Sequence, residues 1–271
     1  MSATAAPATG PQRRLLSAPA RREDPRSFKV LAGIVILVDL GLLTFGWMVD
    51  RPAVVGWDLA LWVVLVACAG LVPLTSGEDG PNLSMELPLL VGAALVYGPV
   101  VAGTIAFLSS FDTREVQRST PLMHAAFNRA QVSLSVFSAG ITFALLRGEV
   151  GSWPWVAVAG LGALAADVLV NYAAVAAMAL LIRRKTLAEA LGEMRFGPAE
   201  VFVPTYVCFG FLSILLAEVH VGLGFWGVLA FVGPIVLARQ AFLHRKLFDA
   251  ASRALRARRQ ALSRVDERIA E

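Results

Sequence analysis

Apolar runs long enough to cross a bilayer follow one another between Phe28 and Leu243, and they restrict the possible folds more than any other feature. A transmembrane helix needs about 20 mostly apolar residues. Hydrophobic residues make up 57% of the chain and the mean hydropathy is +0.67. Charged residues are concentrated at the two ends and in a few short loops. The pattern predicts an all-α, polytopic membrane helix bundle.

One apolar run, Glu86 to Phe111, is interrupted at Tyr97-Gly98-Pro99. A continuous helix is disfavoured there, because Gly relaxes the backbone and Pro lacks a donor and clashes with the preceding turn. Unbroken, the helix would be about 39 Å long against a hydrocarbon core of about 30 Å, whereas each half is only about 18–20 Å long. We therefore expect two short helices, 86–97 and 99–111, that form a hairpin with Gly98 and Pro99 as its hinge.

The distribution of Lys and Arg favours the hairpin over a single crossing. With a hairpin, the basic N-terminal tail, the loop carrying Arg114, the Arg183-Arg184-Lys185 cluster and the C-terminal tail all lie on one face. Short basic loops remain cytoplasmic, so a crossing at 86–111 would wrongly export the last two of these segments. We expect eight membrane helices, two of them short, with both termini cytoplasmic.

The sequence divides into three regions on this interpretation. Residues 1–27 are expected to be a disordered basic cytoplasmic tail, 28–243 the transmembrane bundle and 244–271 a cytoplasmic helix. Thr186–Phe196 is expected to be a short amphipathic linker at the interface. The full-length spans are predicted at Phe28–Val49, Gly56–Leu74, Met123–Leu146, Trp155–Ile182, Ala199–Leu216 and Phe225–Leu243.

Apolar residues in the C-terminal tail recur at alternating spacings of three and four, with one interruption at Arg258. This heptad pattern is typical of a coiled coil, and a parallel pair would make the protein a homodimer. The predicted seam residues include Leu255, Leu262, Val265 and Ile269. A basic amphipathic helix lying on anionic membrane lipid is the alternative.

Two carboxyl groups fall near the middle of predicted spans. Asp39 and Asp167 are candidates for function, because centring a charge in the bilayer costs about 2.5–3.5 kcal/mol on insertion scales. Asn171 follows Asp167 by one turn on the same helix face. These residues form either a ligand pocket or protonation switch, or interhelical hydrogen bonds that hold the bundle together. Asn128 and Gln131 are further candidate ligand-binding residues.

A second polar cluster is expected near the cytoplasmic face. Its members are Glu86, Asp112, Arg114, His124 and Arg129, with Asn128 and Gln131 close by in the sequence. Helix ends inside a membrane must find hydrogen-bond partners within the protein, so these residues are interpreted as bracing the hairpin. Arg129 is expected to pair with Glu86 or Asp112. A direct part in ligand binding is the alternative.

Catalytic signatures do not occur in the sequence. There is no HExxH, no GxSxG and no P-loop. We therefore expect no enzyme activity in this chain, no catalytic residue, no metal and no cofactor. The net charge of +4 is interpreted as orientation bias across the membrane and not as affinity for nucleic acid.

Five segments together resemble a known family: ELPLLVGAALVYGP (86–99), FDTRE (111–115), AFNRAQVSLS (126–135), ADVLVNY (166–172) and LARQAFLHRKL (237–247). They resemble the membrane-integral N-terminal input domain of bacterial, especially actinobacterial, signalling proteins, namely sensor histidine kinases and relatives with HD-GYP or diguanylate cyclase outputs. The resemblance implies a sensor in the bacterial plasma membrane that relays a ligand or membrane signal through its C-terminal helix. The output, such as a two-component kinase, is expected beyond residue 271 or in a cytoplasmic partner.

A second resemblance is carried by the short apolar hairpin and the small residues Ala102 and Gly103 that follow it. With the helices up to Leu243, it is similar to the six-helix S components of energy-coupling-factor importers. This resemblance implies a substrate-binding subunit of a vitamin-type transporter. The long heptad tail favours the sensor, because an S component does not need one. A purely structural membrane adaptor is the third possibility.

Overall fold

The computed structural model describes residues 25–52, 56–70, 86–111, 115, 120–147, 153–182, 184–193, 202–230, 232–233 and 252. Most of these residues are helical, and none of them is in a strand. Within the described part of the chain, five helices are long and apolar enough to cross a membrane, and Gly56–Gly70 is a shorter apolar helix. The prediction of an all-helical chain with several apolar helices of membrane-spanning length is confirmed for the described residues. The helices are α1 Pro25–Asp50, α2 Gly56–Gly70, α3 Glu86–Ser109, α4 Leu122–Arg147, α5 Trp153–Leu181, α6 Leu187–Glu193 and α7 Phe202–Ala230.

Helix α3 is broken in the middle and folds back on itself. Gly98 has φ 78° and ψ −177°, a backbone conformation that only Gly adopts readily, and Pro99 follows it. A methyl group placed on Gly70 would lie 2.5 Å from Oε2 of Glu86 and 3.8 Å from the carbonyl oxygen of Phe111. A straight helix would separate Glu86 from Phe111 by about 37 Å. Both ends of α3 therefore lie beside the same residue, and we call Glu86–Ser109 the α3 hairpin.

The α3 hairpin is the centre of the bundle. Within its most apolar window, 72% of the residues are buried, compared with 22% in α1 and 17% in α5. Glycines allow its neighbours to approach closely: Gly140 of α4 lies against the backbone of Pro99, and Gly92 of the hairpin lies against Ser213 of α7. Close backbone approach through small residues is typical of packed membrane helices. The other helices thus enclose the segment that organises the sequence.

Helix α7 contains a second reversal. Gly224 has φ 66°, and a methyl group on Gly227 would lie 2.9 Å from Cγ1 of Val219. In a straight helix these two positions would be about 12 Å apart. The chain therefore bends back at Gly224. Between the predicted spans Ala199–Leu216 and Phe225–Leu243, residues 217–223 are still helical, and His220 contacts the α3 hairpin.

The helix ends differ slightly from the predicted ones. Helix α1 begins at Pro25, before the expected Phe28, since Pro is well suited to the first helical position. The expected linker contains the short helix α6, which starts with a capping box. The amide of Glu189 donates to Thr186 Oγ1 at 3.3 Å, and the amide of Thr186 donates to Glu189 Oε2 at 2.8 Å. The coiled-coil seam at Leu255, Leu262, Val265 and Ile269 lies outside the described residues.

Candidate ligand site between four helices

A cavity of about 170 Å³ lies between the α3 hairpin, α4, α5 and α7. Its wall combines aliphatic side chains with carboxyl, hydroxyl and amide groups, and we call it the polar cavity. The polar residues that line it are Glu86, Ser135, Asp167, Asn171, Tyr172 and Tyr206. A concave space lined by apolar side chains and a few placed polar groups is the usual form of a ligand site, and at about 170 Å³ this one is smaller than the common range of about 300–1,000 Å³.

Asp167 is the most deeply buried acid in this wall, with only 2% of its surface exposed. It comes from the middle of α5, and its carboxyl interacts with the hydroxyl of Ser135 on α4. Asn171 lies one helical turn further on and lines the same polar cavity. The structure therefore places the two residues on one face and turns that face inward.

Gln131 fixes the position of Asn171. Its Nε2 donates to Oδ1 of Asn171 at 2.6 Å and to the backbone carbonyl of Asn171 at 3.3 Å. Gln131 is itself buried, with 7% exposed, but it does not line the polar cavity. Its role is therefore to orient the amide of Asn171 from α4.

Glu86 supplies a second carboxyl group to the polar cavity. It is the first residue of the α3 hairpin, where an acidic side chain also interacts favourably with the positive end of the helix dipole. Among the described residues that line the polar cavity, none is Lys, Arg or His. Two of the polar side chains in the wall are therefore carboxylic acids.

A larger and almost wholly apolar space adjoins the polar cavity. This apolar groove of about 650 Å³ lies between α5 and α7 and shares Val168, Tyr172 and Tyr206 with the polar cavity. The hydroxyl oxygens of Tyr172 and Tyr206 are 3.5 Å apart, and the ring of Tyr206 packs on Phe202 at 4.2 Å between centroids. The two tyrosines thus form the boundary between a polar and an apolar compartment.

Asp39, the other predicted membrane carboxyl, lies elsewhere. It is fully buried on α1 beside Ser133 of α4 and does not line the polar cavity. Neither carboxyl oxygen has a hydrogen-bond partner among the described residues, and the hydroxyl of Ser133 donates to the carbonyl of Gly103 at 3.0 Å. Asp39 and Asp167 therefore occupy separate positions around α4.

The predicted bracing cluster is only partly assembled in the described residues. Arg129 pairs with Glu115 through a 2.7 Å contact between Nη2 and Oε2, and its guanidinium lies 4.1 Å from the centroid of the Phe111 ring. The ion pair found for Arg129 is thus with Glu115, a partner that was not expected, while Glu86 lines the polar cavity. Asp112, the other predicted partner, and Arg114 lie outside the described residues.

Two further members of the cluster are also away from the polar cavity. His124 stacks on Phe28 of α1, with the ring centroids 3.9 Å apart. Asn128 is exposed on α4 and does not line the polar cavity. The stacking of His124 on Phe28 packs the start of α4 against the start of α1.

Sequence reasoning missed an aromatic cluster at the reversal of the α3 hairpin. The hydroxyl of Tyr97 is 2.9 Å from Nε2 of His220, and the fully buried Trp62 packs against both rings. Phe225, just after the Gly224 reversal, completes the cluster. No periodicity marks Trp62 as buried, because α2 is apolar on all sides.

No protein-family model matches the chain, and no curated protein or solved structure is significantly similar to it. Among the described residues, no three His, Cys, Asp or Glu side chains are grouped so as to hold a metal ion. The polar cavity is therefore the feature of the described structure from which a function is inferred.

Proposed function

We propose that the chain is a membrane sensory input module whose ligand binds in the polar cavity. The observation that carries this proposal is the position of Asp167, a buried carboxyl lining a cavity between the α3 hairpin, α4, α5 and α7. A ligand there contacts four separate helices. If its affinity differs between two arrangements of these helices, binding shifts the population towards one of them.

The proposed topology has eight membrane segments with both termini cytoplasmic. Two of the five long helices are folded at Gly98 and Gly224, and each fold adds a segment. With the short apolar helix α2, this total agrees with the number expected from the sequence. The Lys and Arg residues then lie mainly on the cytoplasmic side, as the positive-inside rule requires.

The relay is proposed to run from the α3 hairpin to α7 and on to the C-terminal helix. Tyr97, at the end of the first half of the hairpin, contacts His220 of α7, which shortly precedes the reversal at Gly224. A change in angle at Gly98 and Pro99 would therefore displace α7. We propose that the heptad tail, in a homodimer, carries this displacement to a cytoplasmic output such as a histidine kinase.

A substrate-binding transporter subunit is the second candidate. It is supported by the same enclosed polar cavity beside a short broken hairpin, since a bound vitamin-sized substrate also needs polar groups inside the bundle. The candidates differ in the tail: a sensor requires a paired tail that responds to the polar cavity, and a transporter subunit does not.

The test is disulfide crosslinking of the tail in bacterial membranes, with Cys68 and Cys208 replaced by Ala. Leu255→Cys reports on the predicted seam, and Gln260→Cys, on the opposite side of the heptad, is its control. We expect Leu255→Cys to crosslink as a dimer and Gln260→Cys to crosslink much less. Equal crosslinking at both positions, or none at Leu255→Cys, would contradict the paired tail.

Coupling between the polar cavity and the tail is tested in the same assay. Asp167→Asn is expected to change the initial rate of crosslinking at Leu255→Cys by at least about twofold, since population shifts of this size need less than 1 kcal/mol. Asn128→Ala is the matched control, because Asn128 is exposed on α4 outside the polar cavity. An unchanged rate in Asp167→Asn, or an equal change in both variants, would overturn the relay.

A further inference from the structure

We propose that the ligand of the polar cavity is a single-chain amphiphile with a small cationic head group. Its head is bound at Asp167 and its alkyl chain lies in the apolar groove between α5 and α7. This inference rests on the proposed function, because it names the class of ligand that the same site takes. It is carried by the adjacency of two spaces with opposite chemistry.

The adjacency is visible in the residues that line both spaces, and the side chains of Tyr172 and Tyr206 are all that has to turn aside for a ligand to occupy both. Val168, Tyr172 and Tyr206 belong to the wall of the polar cavity and to the wall of the apolar groove. A ligand that occupies only the polar cavity makes no contact with the apolar groove. A ligand that occupies only the groove makes no hydrogen bond with the buried polar groups. An amphiphile can contact both spaces, because its head group lies in the polar cavity and its alkyl chain lies in the groove. The two parts of the molecule are joined beside the two tyrosines.

The charge of the wall selects the head group. Asp167 faces the polar cavity, and no described lining residue is a cation. A cation beside a buried carboxyl favours its ionised form, whereas an anion beside it is repelled. An ammonium head is therefore favoured beside Asp167, and a phosphate or carboxylate head is opposed. The hydroxyls of Ser135 and Tyr206 provide further acceptors for the ammonium protons.

The size of the two spaces restricts the rest of the molecule. The polar cavity holds about 170 Å³, whereas the apolar groove holds about 650 Å³. Along α5 the groove extends from Leu161 to Ala176, about 22 Å of helix, which suits one long alkyl chain. A two-chain phospholipid would add a phosphate that the acidic wall opposes.

The groove is also open to its surroundings. Leu169 and Val203, on its two sides, are 70% and 54% exposed. In a membrane these side chains face lipid, so the ligand enters sideways from the bilayer between α5 and α7. No movement of the buried α3 hairpin is needed for entry.

Binding is tested with the purified full-length protein in detergent and three probes of equal chain length: hexadecylamine, hexadecanol and hexadecanoate. Each competes with a photoreactive diazirine analogue of hexadecylamine, and the labelled peptides are mapped by mass spectrometry. The amine is expected to bind at least about tenfold more tightly than the alcohol, because charge-assisted hydrogen bonds are roughly twice as strong as neutral ones. The acid is expected to bind most weakly, and the label is expected on α5 and α7.

Three variants separate the head-group site from the groove. Asp167→Asn is expected to remove the preference for the amine while leaving the alcohol unchanged. Asp39→Asn is the matched control, because it also removes a buried carboxyl but lies outside the polar cavity. Ala173→Phe, which places a ring in the groove, is expected to weaken all three probes and keeps the test informative if Asp167→Asn fails to fold.

Several outcomes would overturn the inference: equal binding of amine and acid, equal effects of Asp39→Asn and Asp167→Asn, labels confined to other helices, or no binding. A photolabelled dimer joined through the groove would show a second copy of the chain as its occupant instead. Failure of the ligand class is distinguishable from failure of the proposed function. If no amphiphile binds but tail crosslinking responds to Asp167→Asn, the ligand class is wrong and the proposed sensor function is supported. If the amine binds but tail crosslinking does not respond, the proposed relay is wrong.

Discussion

The hydroxyl oxygen of Tyr97 lies 2.9 Å from Nε2 of His220, and this contact joins the reversal of the α3 hairpin to α7. Trp62 covers the pair, with ring centroids 6.2 Å from Tyr97 and 5.8 Å from His220. The contact is between residues 123 positions apart in the chain. It therefore constrains the relative position of two elements that the sequence does not connect locally.

Tyr97→Phe removes this hydrogen bond and leaves the His220 ring without the partner on Nε2. We expect a loss of about 0.5–1.5 kcal/mol in the free energy of unfolding, the usual net contribution of one hydrogen bond, because both side chains are only part-buried. The measurement is equilibrium unfolding of the purified protein in mixed detergent and SDS. The double variant Tyr97→Phe/His220→Leu should lose less than the sum of the two single variants, because no polar group is then left unpaired. Strict additivity would contradict the contact.

Gly98→Ala is expected to destabilise the protein by about 1–2 kcal/mol through backbone strain alone. Gly98 has a left-handed φ of 78°, but a methyl group there would meet no atom within 4 Å. Gly41→Ala is the matched control, since it also has open space but lies inside the regular helix α1, where Ala is favoured over Gly by up to about 1 kcal/mol. Equal unfolding free energies for the two variants would argue against the reversal at Gly98.

The hairpin also predicts the sidedness of α1 and α4. In a chain lacking native Cys, Asp50→Cys and Arg147→Cys should react with a membrane-impermeant thiol reagent from the same side of the membrane. Both are exposed, at the ends of α1 and α4. Thr186→Cys should react only from the opposite side. If α3 crossed the membrane once, Asp50→Cys and Arg147→Cys would react from opposite sides.

Arg129→Lys is expected to cost about 1–2 kcal/mol of stability, because Lys loses both the two donor contacts to Glu115 and the stacking on Phe111. Arg147→Lys serves as the comparison. Arg147 also lies over a ring, Phe143, but it is exposed and 5.6 Å from the ring centroid, so a change below about 0.5 kcal/mol is expected. The measurement is thermal unfolding of both variants in the same detergent. Equal shifts of the unfolding temperature would contradict a structural role for the contacts of Arg129 with Glu115 and Phe111.

The sequence was most informative where a local signal decides the structure. The apolar runs predict the bounds of α1, α3, α4 and α5 to within three residues, and Gly98-Pro99 marks the break in α3. The four-residue spacing of Asp167 and Asn171 placed both on one face. The capping box of Thr186 and Glu189 is a local signal of the same kind.

Contacts between helices could not be predicted in the same way. A helix that is apolar on every side, such as α2 or α5, carries no periodic signal that tells which face packs inward. The burial of Trp62 and the adjacency of the polar cavity and the apolar groove therefore appeared only in three dimensions. The partner of Arg129 depended on the path of the chain after Phe111, which apolar patterning does not determine.

The central position of the α3 hairpin has a consequence for biosynthesis. Its neighbours α1 and α2 leave the ribosome before it, but α4 and α7, which cover Pro99 and Gly92, emerge later. A nascent chain that ends before α4 therefore leaves the broken backbone at Gly98 without its enclosing helices. Insertion chaperones and membrane proteases should meet this segment chiefly during translation, and premature termination between α3 and α7 should yield products that are rapidly degraded.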